Sequence, residues 1–272
     1  MKSTGITAHM IVKNEDQWVW YAINSVLPYV DTFLITDTGS TDHTLDLIRR
    51  VRSPKIKLTQ TKIQVPADMT HARNDQIVAT STEWIWLVDG DEIYSHSAAS
   101  EIVTAVQADQ YKCIAVRRND LLGDVYHRQM ESVGSYALFG ERGHLVTRLF
   151  NLKSLRNLKV MSDYPNEEYV YARSRSTSHL PLADVYITQS YLYHAMYLQR
   201  SSLGSNLTNM FNRSKYKIEL GIAPVGTTPE VFTNPHPNQL MRPLAKRGLV
   251  YELLASIITP IKALKRLLLP SV

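Results

Sequence analysis

The chain has 272 residues, 44% of them hydrophobic and 20% charged, with only 11 Gly and 12 Pro, which excludes a disordered or collagen-like chain and predicts one large domain or a domain with an appendage. The formal charge of +5 is unevenly placed: residues 236–272 carry Arg242, Lys246, Arg247, Lys262, Lys265 and Arg266 against Glu252 alone, which equals the whole surplus. No nucleic-acid motif accompanies these cations and they sit among apolar residues, so a membrane surface is the expected partner and nucleic acid is not.

Met1 to His9 holds no apolar run of signal-peptide length. The single cysteine, Cys113, cannot close an intramolecular disulfide and reads as a buried strand residue, so a reducing, cytoplasmic setting is expected. From the N-terminus to residue 118, apolar runs alternate with helix-like segments. Strands are predicted over 6–12, 32–36, 56–60, 84–88 and 112–117, and helices over 16–27, 41–51, 69–80 and 97–108. Gly39-Ser-Thr-Asp42 supplies capping chemistry for the second helix. This alternation predicts an α/β, doubly wound, mostly parallel sheet. Residues 119–143 read as a long functional loop, 145–150 and 168–173 as strands, and 196–213 as a helix. Prolines 224, 229, 235, 237 and 243 punctuate a linker, and no internal repeat is visible.

The sharpest motif is the apolar run Trp84-Ile-Trp-Leu-Val88 ending in Asp89-Gly-Asp-Glu92. Open α/β sheets bind ligands at the C-terminal ends of strands. Carboxylates so closely spaced repel one another unless a cation sits among them, and hard divalent ions such as Mg²⁺ or Mn²⁺ take oxygen ligands and hold diphosphates. The bland alternative is a solvated acidic turn. Asp37 likewise follows an apolar strand and precedes a helix N-terminus, either to receive a base or ribose or to cap its own turn. Arg73, in His71-Ala-Arg-Asn-Asp75, can grip phosphate with its donor fork or neutralise Asp89 and Asp91.

Met10-Ile-Val-Lys-Asn-Glu15, Ile35-Thr-Asp-Thr-Gly-Ser-Thr-Asp42, His71-Ala-Arg-Asn74 and Leu87-Val-Asp-Gly-Asp-Glu92, in that order, resemble the family 2 glycosyltransferases with the GT-A fold. The resemblance covers the first 118 residues and implies that Asn14 and Glu15 lie near the nucleotide, Asp37 holds the base or ribose, Arg73 lies near the phosphates, and Asp89 and Asp91 are a D-x-D pair for ribose and metal. Thr36-Asp37-Thr38 stands where many members carry two adjacent acids, which leaves the nucleotide unspecified. More loosely, Arg148-Leu-Phe150, Pro165-Asn-Glu-Glu-Tyr169 and Tyr193-His194 resemble the later part of the family. That implies Glu167 as the base, with Glu168 its competitor, and His194 as a metal contact. On its own, His194 among tyrosines reads more readily as a satisfied, partly buried side chain than as a ligand.

On a helical period Val250, Leu254, Ile257, Ile258, Ile261, Leu264 and Leu268 share one face, opposite Glu252, Ser256, Thr259, Lys262 and Arg266. The basic amphipathic segment 246–269 therefore fits either a membrane surface or a protein surface, and it is too short in apolar residues to span a bilayer. The expected organisation is a GT-A domain over 1–223, with a nucleotide-sugar half (1–118) and an acceptor half (119–223), followed by the linker and helix (224–272). The expected activity is metal-dependent, inverting transfer from a nucleotide-sugar donor to an acceptor hydroxyl on a glycan or lipid-linked glycan, at the cytoplasmic face of a membrane. The alternatives are a Mg²⁺-dependent phosphohydrolase using Asp89 and Asp91, or a non-catalytic nucleotide- or membrane-binding homologue.

Overall fold

The computed structural model describes residues 5–198, 217–238, 240 and 242–268. Four strands open the chain: β1 (Ile6–Val12), β2 (Thr32–Asp37), β3 (Ile56–Gln60) and β4 (Trp84–Leu87). They pair in parallel, as the alternating pattern predicts, in the order β3-β2-β1-β4. Beyond β4 the sheet continues with β10 (Leu145–Asn151), β6 (Cys113–Leu122), β14 (Val185–Tyr197) and β5 (Glu92–Ile93), while β7 (Asp124–Arg128) hangs on β6. Strands β1, β2, β3, β4, β6 and β14 run one way, and β5, β7 and β10 run the other. The insertion of β10 between β4 and β6 is not legible in the sequence, because strand order is set by long-range pairing. Cys113 is buried and free, as expected of a strand residue.

Alternation along β4 divides the core in two. Trp84 and Trp86 point into the larger apolar layer beneath α1 (Val19–Val26) and α4 (His96–Gln107), whereas Ile85 and Leu87 enter a smaller one with Cys113, Ala115 and Phe150. All four are buried to 5% exposure or less. Helix α2 spans Thr44–Arg50 and α3 spans Pro66–Val78. Both start at other positions than the sequence suggests. Asp42 accepts from Thr44 N at 3.0 Å, but Gly39 to His43 form a loop instead of the first turn. Pro66 opens α3, where its missing N–H costs nothing, and Asp68 reaches back to accept from the backbone N–H groups of Gln64 and Val65.

Segment 119–143, expected as a loop, is largely strand: β6 runs on to Leu122, β7 follows, and β8 (Tyr136–Leu138) pairs with β9 (Glu141–Gly143). Its mixed polar composition conceals this, because these strands are short and several of their residues face solvent. Of the helix expected over 196–213, residues 196–197 belong to β14, and most of the rest lies outside the described residues. A small antiparallel sheet of β11 (Lys159–Met161), β12 (Glu168–Tyr171) and β13 (Arg175–Ser176) covers the second core layer, with Tyr169 stacked on Phe150 at 4.6 Å.

Asn74 on α3 fastens that sheet. Its Nδ2 donates to Val160 O at 3.0 Å and its Oδ1 accepts from Val160 N at 2.8 Å, so one side-chain amide acts as a further strand partner for β11. Thr70 Oγ1 adds a bond to Ser162 O at 2.8 Å. Asn74→Ala leaves both Val160 groups without these partners. The expected cost is about 1–3 kcal/mol, read by urea unfolding, with faster hydrogen exchange confined to residues 159–171.

Candidate active site

The C-terminal ends of β1, β2 and β4 converge on one edge of the sheet. After β1, Asn14 has a left-handed backbone (φ 52°), a conformation its short amide tolerates. Its Oδ1 accepts from Thr41 N at 2.8 Å and its backbone N–H donates to Ser40 Oγ at 3.0 Å, which ties the β1 exit to the β2 exit. Asp37, fully buried, accepts from the N–H groups of Gly39 and Ser40 at 3.1–3.3 Å. Its carboxylate thus holds its own turn in place. Glu15 is buried beneath Gly90, where an added Cβ would lie 3.0 Å from Glu15 Cγ and 3.2 Å from Val12 Cγ2. Glycine at position 90 allows this approach, and Gly90→Ala would push Asp89 and Asp91 off the β1 exit.

At the β4 exit the acidic motif splits. Glu92 turns fully inward and meets Arg148 of β10, whose Nη2 also reaches Asp89 Oδ2 at 2.5 Å. Burial raises the Asp89 carboxyl, and Arg148, then Arg73 and His194, lower it by more, to about 2; its side chain stays 39% exposed. Burial pushes Glu92 upward, with Arg148 opposing. Asp91 is buried and faces His194 of β14, Nε2 to Oδ2 at 3.5 Å. On the far side of that ring, Nδ1 meets Asp120 Oδ1 of β6 at 2.8 Å. A carboxylate only accepts, so Nδ1 carries the proton and Nε2 is directed at Asp91. Burial lowers the His194 pKa, and Asp91 and Asp120 raise it by more. Arg118 and His144 complete the surroundings of Asp120, at 3.2 and 3.5 Å.

Nε2 of His194 and Oδ2 of Asp91 thus face each other 3.5 Å apart in a buried setting, an arrangement that suits a shared proton or a metal ion. The pair supplies one carboxylate oxygen and one imidazole nitrogen. Among the described residues no three His, Cys, Asp or Glu side chains gather as a metal cluster. A two-donor seat fits a Mn²⁺ or Mg²⁺ ion that keeps water or phosphate oxygens as its other ligands.

Arg73 projects from the flank of α3 toward the hairpin that Asn74 holds. Its Nε lies 2.7 Å from Glu167 Oε1, with both side chains under 20% exposed. Glu168, next in sequence, is exposed, so alternation at the start of β12 separates the two acids: Glu167 faces the site edge and Glu168 faces solvent. The opposite flank of α3, with Asp68, His71, Ala72 and Asp75, lines a cleft of about 490 Å³ closed by Thr36, Thr59, Gln60, Thr61, Lys62 and Gln64 at the ends of β2 and β3. That volume lies within the range of small-molecule sites.

Of the residues singled out from sequence, Arg73, Glu167, Asp89, Asp91 and His194 are therefore linked by contacts or by charge, while Asn14, Glu15 and Asp37 form the adjoining β1/β2 exit. Sequence reasoning names Arg148, Glu92 and Asn74 only as members of motifs, without a role of their own, and does not single out Asp120. For Arg148 the available signal is a lone charge within the mostly apolar run 145–150, which calls for a buried partner, whereas Asp120 follows Arg117, Arg118 and Asn119 and carries no such signal.

Arg148→Met strands Glu92 without its cation, at an expected cost of about 3–5 kcal/mol. Because the Asp89 pKa is depressed, its stabilising share is complete above about pH 4 and is lost as pH falls toward 2. Chemical denaturation at stepped pH should show that acid limb flattened in Arg148→Met. An unchanged limb would separate Asp89 from Arg148.

The family model for Glycosyl transferase family 2 matches residues 7–177. Among curated proteins, the SPbeta prophage-derived glycosyltransferase SunS of Bacillus subtilis (strain 168) is 29% identical over 106 residues, which is 39% of this chain and 24% of SunS, so the chain spans about a quarter of that relative's length. Among solved structures, S. aureus TarS is 14% identical with a TM-score of 0.42 over 70% of this chain and 36% of TarS. The glucosyl-3-phosphoglycerate synthase of Mycobacterium tuberculosis, crystallised with Mn²⁺, UDP and glucosyl-3-phosphoglycerate, is 18% identical with a TM-score of 0.34 over 41% of this chain and 43% of that one. With the family match extending over more than half of its length, from β1 to the turn after β13, this chain belongs to glycosyl transferase family 2.

Proposed function

We propose that the chain transfers a sugar from a nucleotide-sugar donor to an acceptor hydroxyl with inversion, at the edge formed by the β1, β2 and β4 exits. The observation that carries this reading is that the Asp91–His194 pair and the Arg73–Glu167 pair flank one carboxylate, Asp89, whose charge both His194 and Arg73 stabilise. Cation-holding donors and a guanidinium suit a diphosphate. A carboxylate beside them suits proton removal from a hydroxyl.

The nucleoside end belongs at the β1 and β2 exits, beside Asn14, Glu15, Asp37 and the cleft along α3. Arg73 offers its donor fork to phosphate oxygens, and Asp89, whose carboxylate Arg148 holds, takes a ribose hydroxyl. Asp91 and His194 would hold a divalent ion, which when bound supplies charge stabilisation to the departing diphosphate. Glu167 takes the proton of the acceptor hydroxyl as that oxygen attacks the anomeric carbon opposite the leaving group. In the structure its carboxylate is held by Arg73. Donor phosphates compete for the same guanidinium, so donor binding frees the base. The acceptor is a hydroxyl of a glycan, and the basic amphipathic C-terminus supports a lipid-linked one.

Calorimetric titration with UDP-, GDP-, CMP- and dTDP-sugars, with and without Mn²⁺, tests the donor half. One nucleotide class should bind with metal and lose that dependence in Asp91→Ala; binding by none, in the folded protein, would sink the reading. Glu167→Gln should keep donor affinity and lower kcat by about 10²- to 10⁴-fold, whereas Glu168→Gln should leave turnover near wild type. Equal losses in the two variants would remove Glu167 from the role of base.

A further inference from the structure

The C-terminal helix α5 (Leu249–Leu268) is amphipathic, and its faces are used in the reverse of the usual sense. A surface helix ordinarily buries its apolar stripe and shows its polar one. Here the polar stripe faces the protein. Arg266 Nη2 and Lys262 Nζ reach Glu219 Oε1 at 2.7 and 3.5 Å, Leu220 N donates to Thr259 Oγ1 at 2.8 Å, and Tyr251 OH donates to Lys217 O at 2.9 Å. Arg247, just before the helix, is 3% exposed and donates to the carbonyl oxygens of Leu122, Glu219 and Leu220 and to the Glu252 carboxylate. The Gly123 turn passes so close that an added Cβ would lie 2.8 Å from Tyr251 Cζ. Directional bonds therefore set the rotation of α5 about its own axis.

What that rotation leaves outward is an aliphatic surface. Leu249, Leu253, Ile257, Ile261, Leu264 and Leu268 are each between 58 and 83% exposed. At 3.6 residues per turn the exposed aliphatics occupy an arc of about 140° along about 30 Å of helix, with no charged side chain inside it. Exposed apolar surface of this extent marks an interaction site.

We propose that α5 lies in the interface of an anionic lipid bilayer with this arc downward. Charge selects the occupant. Lys265 borders the arc, and Arg242 and Lys246 precede its first turn, all three exposed, while Glu252, the one acid of the segment, is taken by Arg247. Two copies of the face brought together would oppose these cations to one another, whereas anionic headgroups neutralise them. The arc is wider than the narrow seam of a coiled coil, and it lacks the aromatic and Met side chains concentrated in protein interfaces. No helix among the described residues is long and apolar enough to cross a membrane, so α5 lies on the surface, not across it. The socket of α5 includes Leu122 O, two residues beyond Asp120 on β6, about 7 Å along the strand. A docked bilayer would therefore lie beside the strand that orients His194.

Flotation of the full chain with phosphatidylcholine vesicles, and with the same vesicles containing phosphatidylglycerol, tests this independently of catalysis. The wild type should float with the anionic vesicles and less with the neutral ones. Leu253→Glu/Ile257→Glu/Leu264→Glu, at exposed positions that leave the Glu219 contacts intact, should retain its thermal unfolding midpoint and lower the bound fraction about tenfold or more. Arg242→Glu/Lys265→Glu should reduce the preference for anionic vesicles. Wild-type binding to neither vesicle, or undiminished binding by the triple variant, overturns the proposal. So does a wild-type dimer in light scattering that the triple variant converts to monomer, since that assigns the face to a second copy.

Discussion

Three carboxylates within four residues cannot sit at the exit of a buried strand unless cations face them, and the arrangement of this site follows from that constraint. Arg148 answers for two of the three, with its guanidinium between Glu92 and Asp89. His194 faces the third. Arg148 comes from β10, the strand inserted antiparallel between β4 and β6, so the placement of β10 is as much an electrostatic requirement of the acidic corner as a matter of sheet order. With Glu92 pulled fully inside, the chain turns back through β5 to pair with β14, and His194 stands opposite Glu92 in that register. The pairing that closes the sheet thereby brings the imidazole to Asp91.

Helix α3 performs the second act of placement. Its buried face docks on the sheet through Gln76, whose amide donates to Met10 O, Leu34 O and Thr36 Oγ1, and Thr80, two residues past its end, is bonded to His9 at 2.6 Å. Burial, then Arg73, hold His9 down to about 3, so it stays neutral in that contact. With the helix fixed, one flank lines the cleft at the β2 and β3 ends while the other presents Arg73 and Asn74 to the β11–β12 hairpin. Asn74 holds the hairpin by its backbone and Arg73 holds it by Glu167. The hairpin that carries Glu167 is therefore held by a neutral bidentate contact as well as by the Arg73 ion pair.

Much of this is legible in the amino-acid sequence. That β1 to β4 form a parallel block follows from apolar runs separated by helical periods. The acidic exit of β4 and the residues Asn14, Glu15, Asp37 and Arg73 follow from motif order. Less legible is the region after residue 118. The short strands β7, β8 and β9 read as loop because they carry no long apolar run, and the register that separates Glu167 from Glu168 cannot be read where two acids stand side by side. Arg148 is visible only as a charge in an apolar strand, and Asp120, among Arg117, Arg118 and Asn119, gives no such sign.

The chain order of motifs, the alternating periodicity of the first half and the amphipathic, basic character of residues 246–269 were determined by sequence alone, because each depends on local spacing. Tertiary structure decided which charges meet. Arg148 with Asp89 and Glu92, Asp120 with His194, and Arg73 with Glu167 are joined across separations of 56 to 94 residues, distances over which no periodicity carries information. It also decided which face of α5 turns inward. An amphipathic pattern names two faces but not which of them the protein keeps, and here Glu219 and Arg247, both outside the helix, bind its polar side and leave the aliphatic side to the surroundings.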